Sequence, residues 1–176
     1  ITGITGLVHQ RIIEVENRRS LIETKLIALD EAGERLYVFE DELQALSVMD
    51  LETGAVSLVS GETRGDGPEI RYPTAMGVYD GDVYLAIGQP NLLFAVDPVT
   101  GARRLVSGLS RGSGPVTELT TILRGFGLNR AAGEVYLVSV NDDAVLSINL
   151  ETGDRRAVSS ARTGAGPRFI NPRTLG

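Results

Sequence analysis

One stretch of this chain recurs three times, and its spacing constrains the fold more than any other feature. It begins [D/N]-x-x-T-G and ends G-x-G-P, and it occupies 50–68, 97–115 and 149–167. A tyrosine precedes each T-G glycine by 17 residues (37 to 54, 84 to 101, 136 to 153). The G-x-G-P cluster follows that glycine by 11 residues (54 to 65, 101 to 112, 153 to 164). Constant spacings in three copies indicate a structural repeat.

The repeat has a period of 47 residues and then 52, judged from its tyrosines at 37, 84 and 136. Each copy contains four short segments rich in β-branched and aromatic residues, such as "LYVFE" and "ALSVMD". Turn signals separate the segments, and long amphipathic helical patterns do not occur. Four short strands in a unit of this length are typical of a β-propeller blade.

The T-G segment predicts a tight turn between the third and fourth strands of each unit. The side chains of Asp50, Asp97 and Asn149 can accept hydrogen bonds from N–H groups two or three residues later. The glycine supplies the positive φ that such a turn requires. We therefore interpret the threonine of the T-G pair as a turn residue rather than a nucleophile.

These units predict an all-β propeller of four-stranded antiparallel blades. Complete blades are predicted at 25–61, 62–108 and 109–160, with the end of a preceding blade at 1–24 and the start of another at 161–176. Each S-x-x-x-x-G-x-G-P segment is predicted to cross from the outer strand of one blade to the inner strand of the next. Because a blade must cover both faces of its sheet, we expect further blades or a second copy to complete the ring.

Composition narrows the set of partners. The formal net charge is −6 and the pI is about 4.9, whereas binding to nucleic acid needs clustered lysine and arginine. The chain has no cysteine and a single histidine, which excludes thiolate metal sites and a thiol nucleophile. No apolar run approaches the roughly 18–20 residues of a membrane span. We expect neither a nucleic-acid partner nor a membrane-spanning segment.

The segment "AGERLYVFEDELQALSVMDLETGAVSLVS" resembles the YVTN family of bacterial and archaeal propeller repeats. There an "LYV" strand is followed by a "V-x-D-x-x-T-G" strand and turn. The pattern is also similar to NHL-type and gluconolactonase-like six-bladed propellers, although the long G-x-G-P crossover departs from them. The resemblance covers residues 26–167. It implies a bacterial protein in a periplasmic, secreted or cell-surface setting more than any enzymatic activity.

Such propellers carry their sites on the face that surrounds the central channel. The loops between second and third strands and the crossovers lie on that face. The ligand-binding candidates are therefore the polar residues of these two sets of loops. From the first set they are Glu40, Asp41, Asn91, Asn141 and Asp142. From the crossovers they are Arg64, Arg111 and Arg162.

Two functional hypotheses follow from this face. The first is a non-enzymatic binding or scaffold module that needs no cofactor and holds a protein, peptide or carbohydrate. The alternative is a lactonase-like hydrolase in which a bound Ca²⁺ polarises a lactone carbonyl. Its metal candidates are Glu40, Asp41, Asn141, Asp142 and Asp143.

The recurring arginines also permit two interpretations. A guanidinium repeated in each unit can serve packing or salt bridges between blades. Alternatively, a ring of guanidinium groups can face an anionic ligand, such as an acidic sugar.

Overall fold

A computed structural model describes residues 24–87, 91–115, 123–140 and 142–165. These ranges form three antiparallel sheets of four strands each. The first sheet contains β1 (Thr24–Asp30), β2 (Arg35–Glu40), β3 (Ala45–Asp50) and β4 (Val56–Ser60). The second contains β5 (Ala75–Tyr79), β6 (Asp82–Ala86), β7 (Asn91–Val96) and β8 (Arg103–Gly108). The third contains β9 (Leu123–Asn129), β10 (Glu134–Ser139), β11 (Ala144–Asn149) and β12 (Arg155–Ser159).

The order of strands identifies the architecture. In every sheet each strand pairs with the next one along the chain, so the sheet is a simple meander. The first strands β1, β5 and β9 lie side by side across the three sheets. Sheets arranged around their first strands are blades of a β-propeller. The predicted all-β propeller fold is confirmed, while the partial blades predicted at 1–24 and 161–176 lie almost wholly outside the described residues.

The predicted T-G turns form in all three blades. Asp50 Oδ1 accepts from the Thr53 N–H at 2.7 Å, and Asn149 Oδ1 accepts from the Thr152 N–H at 2.8 Å. The T-G glycine has a φ of 71° at Gly54, and its counterparts in the other two blades also have positive φ. This region of φ favours glycine, because a Cβ there approaches the following carbonyl oxygen.

The hydrophobic core lies between the blades. One cluster joins the first and second blades, where Tyr37 and Phe39 of β2 pack near Leu85 of β6. A second cluster joins the second and third blades through Tyr84 of β6 and Leu137 of β10. Successive residues of β6 therefore face opposite neighbours. This alternation explains why the four residues of β6 after Asp82 are all apolar or aromatic.

Candidate functional site

An arginine at the start of β8 fastens the first blade to the second. Arg103 stands two residues after the T-G glycine, and its guanidinium enters the crossover that follows β4. Its Nε donates to the Pro68 carbonyl at 3.0 Å, and its Nη1 donates to Ser60 Oγ at 2.9 Å. Nη2 donates to the Gly65 carbonyl at 3.0 Å. The crossover wraps the guanidinium with neutral oxygens, and we call this arrangement the arginine clamp.

The same clamp recurs between the second and third blades. Arg155, at the start of β12, donates from Nε to the Pro115 carbonyl at 3.0 Å and from Nη1 to Ser107 Oγ at 2.8 Å. Nη1 also donates to the carbonyls of Gly108 and Arg111. Burial lowers the pKa of Arg155, but an arginine remains charged at neutral pH. The clamp therefore holds a buried cation.

The glycines of the crossover permit this close docking. A Cβ on Gly65 would come 1.9 Å from the Gly101 carbonyl oxygen, and a Cβ on Gly112 would come 1.9 Å from that of Gly153. The serine that ends the outer strand adds another bond, since Ser60 Oγ donates to the Gly101 carbonyl at 2.8 Å. The glycines of the G-x-G-P segment thus allow the T-G turn of the next blade to pack directly against the crossover backbone.

Two predicted ligand-binding arginines, Arg64 and Arg111, also reach across to the next blade. Arg64 Nη2 donates to the Val99 carbonyl at 2.9 Å, and Arg111 Nη2 donates to the Glu151 carbonyl at 3.0 Å. These bonds agree with the packing interpretation of the two side chains. Arg162 is exposed, and Thr163 occupies the corresponding position in the third crossover. A ligand-binding role for the three arginines stays a prediction.

A cavity of about 500 Å³ opens beside the first clamp, between the first and second blades. We call it the interblade pocket. Its floor consists of buried apolar side chains from both blades and the crossover, namely Phe39, Leu46, Ile70, Leu85 and Val96. Its rim carries polar and charged groups together with one exposed leucine, namely Leu43, Gln44, Glu62, Glu69, Arg71 and Arg103. An apolar floor with a few polar rim groups is the common composition of a ligand pocket.

Gln44 connects the loop between β2 and β3 to the crossover at the pocket. Its Oε1 accepts from the Tyr72 backbone N–H at 2.8 Å, and its Nε2 donates to the Asp41 carbonyl oxygen. Tyr72 has a φ of 52° and is 59% exposed. A non-glycine residue persists in this region of φ only where its surroundings hold it. The structure therefore holds the backbone of Tyr72 in place, and its exposed ring follows Arg71, a residue that lines the pocket.

A lysine lies close to this ring, and an ion pair occupies the rim of the pocket. Lys25 Nζ lies 5.7 Å from the centroid of the Tyr72 ring and 3.0 Å from Asp41 Oδ1. On the rim, Arg71 Nη2 lies 2.7 Å from Glu69 Oε1, and the hydrogen bond from Arg71 lowers the pKa of Glu69 below its ordinary value. Both members of that pair are exposed, so they can turn toward a ligand at little cost.

The acidic residues predicted at the channel face have different surroundings. Glu40 is the last residue of β2 rather than part of a loop, is 3% exposed, and accepts from Ser47 Oγ at 2.8 Å. Asp41 pairs with Lys25, and Asp142 accepts from Ser139 Oγ. Asn91 begins β7 instead of ending a loop, and Asn141 lies outside the described residues.

The predicted calcium ligands do not converge in the described part of the chain. There, no three histidine, cysteine or carboxylate side chains are grouped so that they could hold a metal ion. The calcium site therefore stays a prediction. No described segment is a helix long and apolar enough to cross a membrane.

The clamp arginines and the pocket were not predicted from the sequence. The signal for the arginines is present, since "TGAR" and "TGDR" share an arginine two residues after the T-G glycine. The first blade has Val56 at that position. The pocket has no comparable signal, because its floor residues come from four separate strands and a crossover.

Comparison with known proteins supports the fold. No protein-family model matches the chain, and no curated protein matches it. Among solved structures it is similar to a chain of a nidogen/laminin complex, with 14% identity, a TM-score of 0.61, and coverage of 80% of this chain and 49% of that one.

Two proteins from Bacteroides thetaiotaomicron are similar to a comparable degree. One is the extracellular domain of a protein described as a hybrid two-component system, with 15% identity, a TM-score of 0.55, and coverage of 85% of this chain and 17% of that one. The other is a structural genomics protein of unknown function, with 15% identity, a TM-score of 0.57, and coverage of 82% and 36%. The chain spans less than half of each of these three proteins, and at such identities the likeness shows the propeller fold.

Proposed function

We propose that this chain is the part of a propeller-type binding module that holds a peptide segment of a protein partner in the interblade pocket. The observation that carries the proposal is the pocket itself. It combines a floor of buried apolar side chains from two blades with a charged rim, and the exposed ring of Tyr72 follows the rim residue Arg71. No chemistry beyond binding is required of these residues.

The size and chemistry of the pocket favour a peptide. A cavity of about 500 Å³ is within the usual range of ligand pockets, roughly 300–1,000 Å³. It has room for more than one apolar side chain. Arg71 and Glu69 offer one charge of each sign at the rim, which suits a segment whose apolar residues are flanked by charged ones. Tyr72 supplies an exposed aromatic ring, and tyrosine is a residue type enriched where proteins bind each other.

The setting of the module is part of the proposal. We place it in a secreted, periplasmic or cell-surface bacterial protein with repeats of the YVTN or NHL type. Two of the similar structures support this setting by their descriptions, one as a nidogen/laminin complex and one as an extracellular domain. The first of these also favours a protein as the partner rather than a carbohydrate.

The test is selection of peptides from a displayed random library against the purified chain. Selected peptides are then titrated against two variants that differ in where an arginine is added. Leu43→Arg places the charged side chain at the pocket rim, where Leu43 is 40% exposed. Leu51→Arg is the matched control, because Leu51 is 48% exposed in the turn after β3, and it is not among the residues that line the pocket.

We expect peptides with apolar residues beside charged ones, bound at least tenfold more weakly by Leu43→Arg and equally well by Leu51→Arg. Equal binding by both variants would place the peptide site elsewhere on the propeller. Failure of the library to yield any binder, together with binding of an oligosaccharide in a glycan array, would favour carbohydrate over peptide.

A further inference from the structure

The third crossover has the same conformation as the two that hold a clamp. In the first crossover the Gly61 N–H donates to the Arg64 carbonyl at 2.9 Å, and in the third the Ser160 N–H donates to the Thr163 carbonyl at 2.9 Å. Gly164 has a φ of 97°, comparable to 84° at Gly65. The backbone of Ser159–Ala165 is therefore arranged like a loop that already surrounds an arginine.

The third crossover differs from the first two in the residues that pack against it. The Cβ positions of Gly65 and Gly112 each face a carbonyl of the next blade, whereas among the described residues that of Gly164 meets only Ser159. Ser60 and Ser107 are buried, with exposed fractions of 3% and 0%, while the equivalent Ser159 is only half-buried. The loop thus keeps its shape without a described residue in the place where the clamp arginine sits.

We infer that Ser159–Ala165 is a docking site for another propeller blade whose outer turn carries a Thr-Gly-x-Arg sequence. The arginine would donate to the carbonyls of the loop and to Ser159 Oγ, as Arg103 does at Ser60 and Arg155 at Ser107. The T-G glycine carbonyl would accept from Ser159 Oγ, as the Gly101 carbonyl accepts from Ser60.

The three blades of a second copy do not provide this turn. Two of its T-G turns carry the arginine, and each is already engaged by the crossover of its own chain. The T-G turn of the first blade has no arginine to offer, because Val56 occupies the position of Arg103 and Arg155. The occupant is therefore a further blade whose Thr-Gly-x-Arg turn is not yet held by a crossover, and docking of the described blades of a second copy would leave the loop without its arginine.

The experiment extends the chain with the occupant that the loop is inferred to accept. Residues after Pro167 are replaced by a second copy of residues 116–167, which supplies a further blade with its own copy of Arg155. Urea unfolding is followed by circular dichroism in the parent and the extended chain. Docking of the added blade predicts a single transition with a larger m-value, since m scales with the surface exposed on unfolding.

Gly164→Ala then reports whether the loop is occupied. In the parent chain it should lower the urea midpoint no more than Gly54→Ala does. Gly54 is the matched control, because it also has a positive φ and a Cβ added there would have no atom within 4 Å. In the extended chain it should lower the midpoint as much as Gly112→Ala, because the new Cβ would meet the added turn. Replacing the added arginine by valine should remove most of the gain in m-value.

Three results would overturn the inference. An m-value unchanged by extension would mean that the added blade does not dock. A gain that survives the arginine-to-valine change would mean that docking does not use the clamp. Self-association of the unmodified chain in sedimentation velocity, abolished by Gly164→Ala, would mean that a second copy fills the loop after all.

Discussion

The two junctions between blades have the same clamp but differ in how tightly it is enclosed. At the second junction Arg155 is 6% exposed, and Asp154 adds bonds from the Ser113 N–H and hydroxyl, both at 2.7 Å. At the first junction Ala102 stands in place of Asp154, and Arg103 is only half-buried. The interblade pocket opens there, with Arg103 on its rim. The second junction encloses its clamp arginine more completely. The first junction has the same clamp but also contains an apolar cavity.

This difference indicates how a repeat protein can acquire a site. The clamp supplies enough hydrogen bonds to hold neighbouring blades even where their side chains do not fill the space between them. A difference between copies of the repeat, such as Ala102 where the third blade has Asp154, then leaves the clamp itself in place. The interblade pocket lies at the first junction, the one whose clamp arginine is less deeply buried.

The largest expected effect is the loss of the buried clamp arginine. Arg155→Val should lower the free energy of unfolding by roughly 3 kcal/mol or more, because it removes hydrogen bonds to a charged group and leaves buried carbonyls unsatisfied. Arg103→Val should cost clearly less, since water from the pocket can replace part of the lost bonding. Urea unfolding of both variants measures the difference, and equal losses would break the contrast between the junctions.

The next effect concerns the glycines that allow the turn to approach. Gly112→Ala should destabilise the protein by about 2 kcal/mol more than Gly54→Ala, because the new Cβ would overlap the Gly153 carbonyl. Gly54→Ala reports only the strain of positive φ, about 1–2 kcal/mol. Thermal and urea unfolding of the two variants provide the comparison. Equal costs would mean that the crossover does not depend on close contact.

A smaller effect should appear as a pH dependence of the second junction. The hydrogen bonds from Ser113 lower the pKa of Asp154 below its ordinary value of about 3.9. This contribution to stability is therefore present above about pH 4 and is lost as the pH falls through the lower pKa of the folded state. Asp154→Asn should flatten the fall in stability between pH 5 and pH 2 in urea titrations. An unchanged pH profile would show that this carboxylate does not strengthen the junction.

The smallest effect on stability should come from the pocket rim. Arg71→Glu breaks an exposed ion pair, and such pairs contribute little to folding. We expect an unchanged urea midpoint but a changed charge preference among the library peptides, with acidic flanking residues lost. A peptide set with the same charge pattern would remove Arg71 from the binding site.

The sequence predicts the fold well because the repeat contains its own local rules. The turn at Asp50–Gly54 depends on an acceptor side chain and a glycine within five residues, so spacing alone predicts it. The same pattern predicts Glu40 in the loop between the second and third strands, but the pairing of β2 with β3 extends to that residue, and Ser47 Oγ donates a hydrogen bond to its carboxylate. Local pattern does not show where a strand stops pairing.

Long-range contacts explain the rest of what was missed. Arg103 looks like an ordinary strand residue, because its partners at Ser60 and Pro68 lie far away in the sequence. Arg64 and Arg111 were considered as ligands for an anion or as packing residues, and only their bonds to the next blade's carbonyls favour packing. The pocket depends on the angle at which two blades pack, which periodicity does not encode.

The most direct test of binding at the interblade pocket is hydrogen exchange of the wild-type chain with and without a selected peptide. We expect new protection at residues 43–46 and 60–72, which line the first junction and its pocket, and none at 107–115 around the second clamp. Protection of the second junction to the same degree, or protection confined to residues outside both, would contradict the assignment of binding to the interblade pocket.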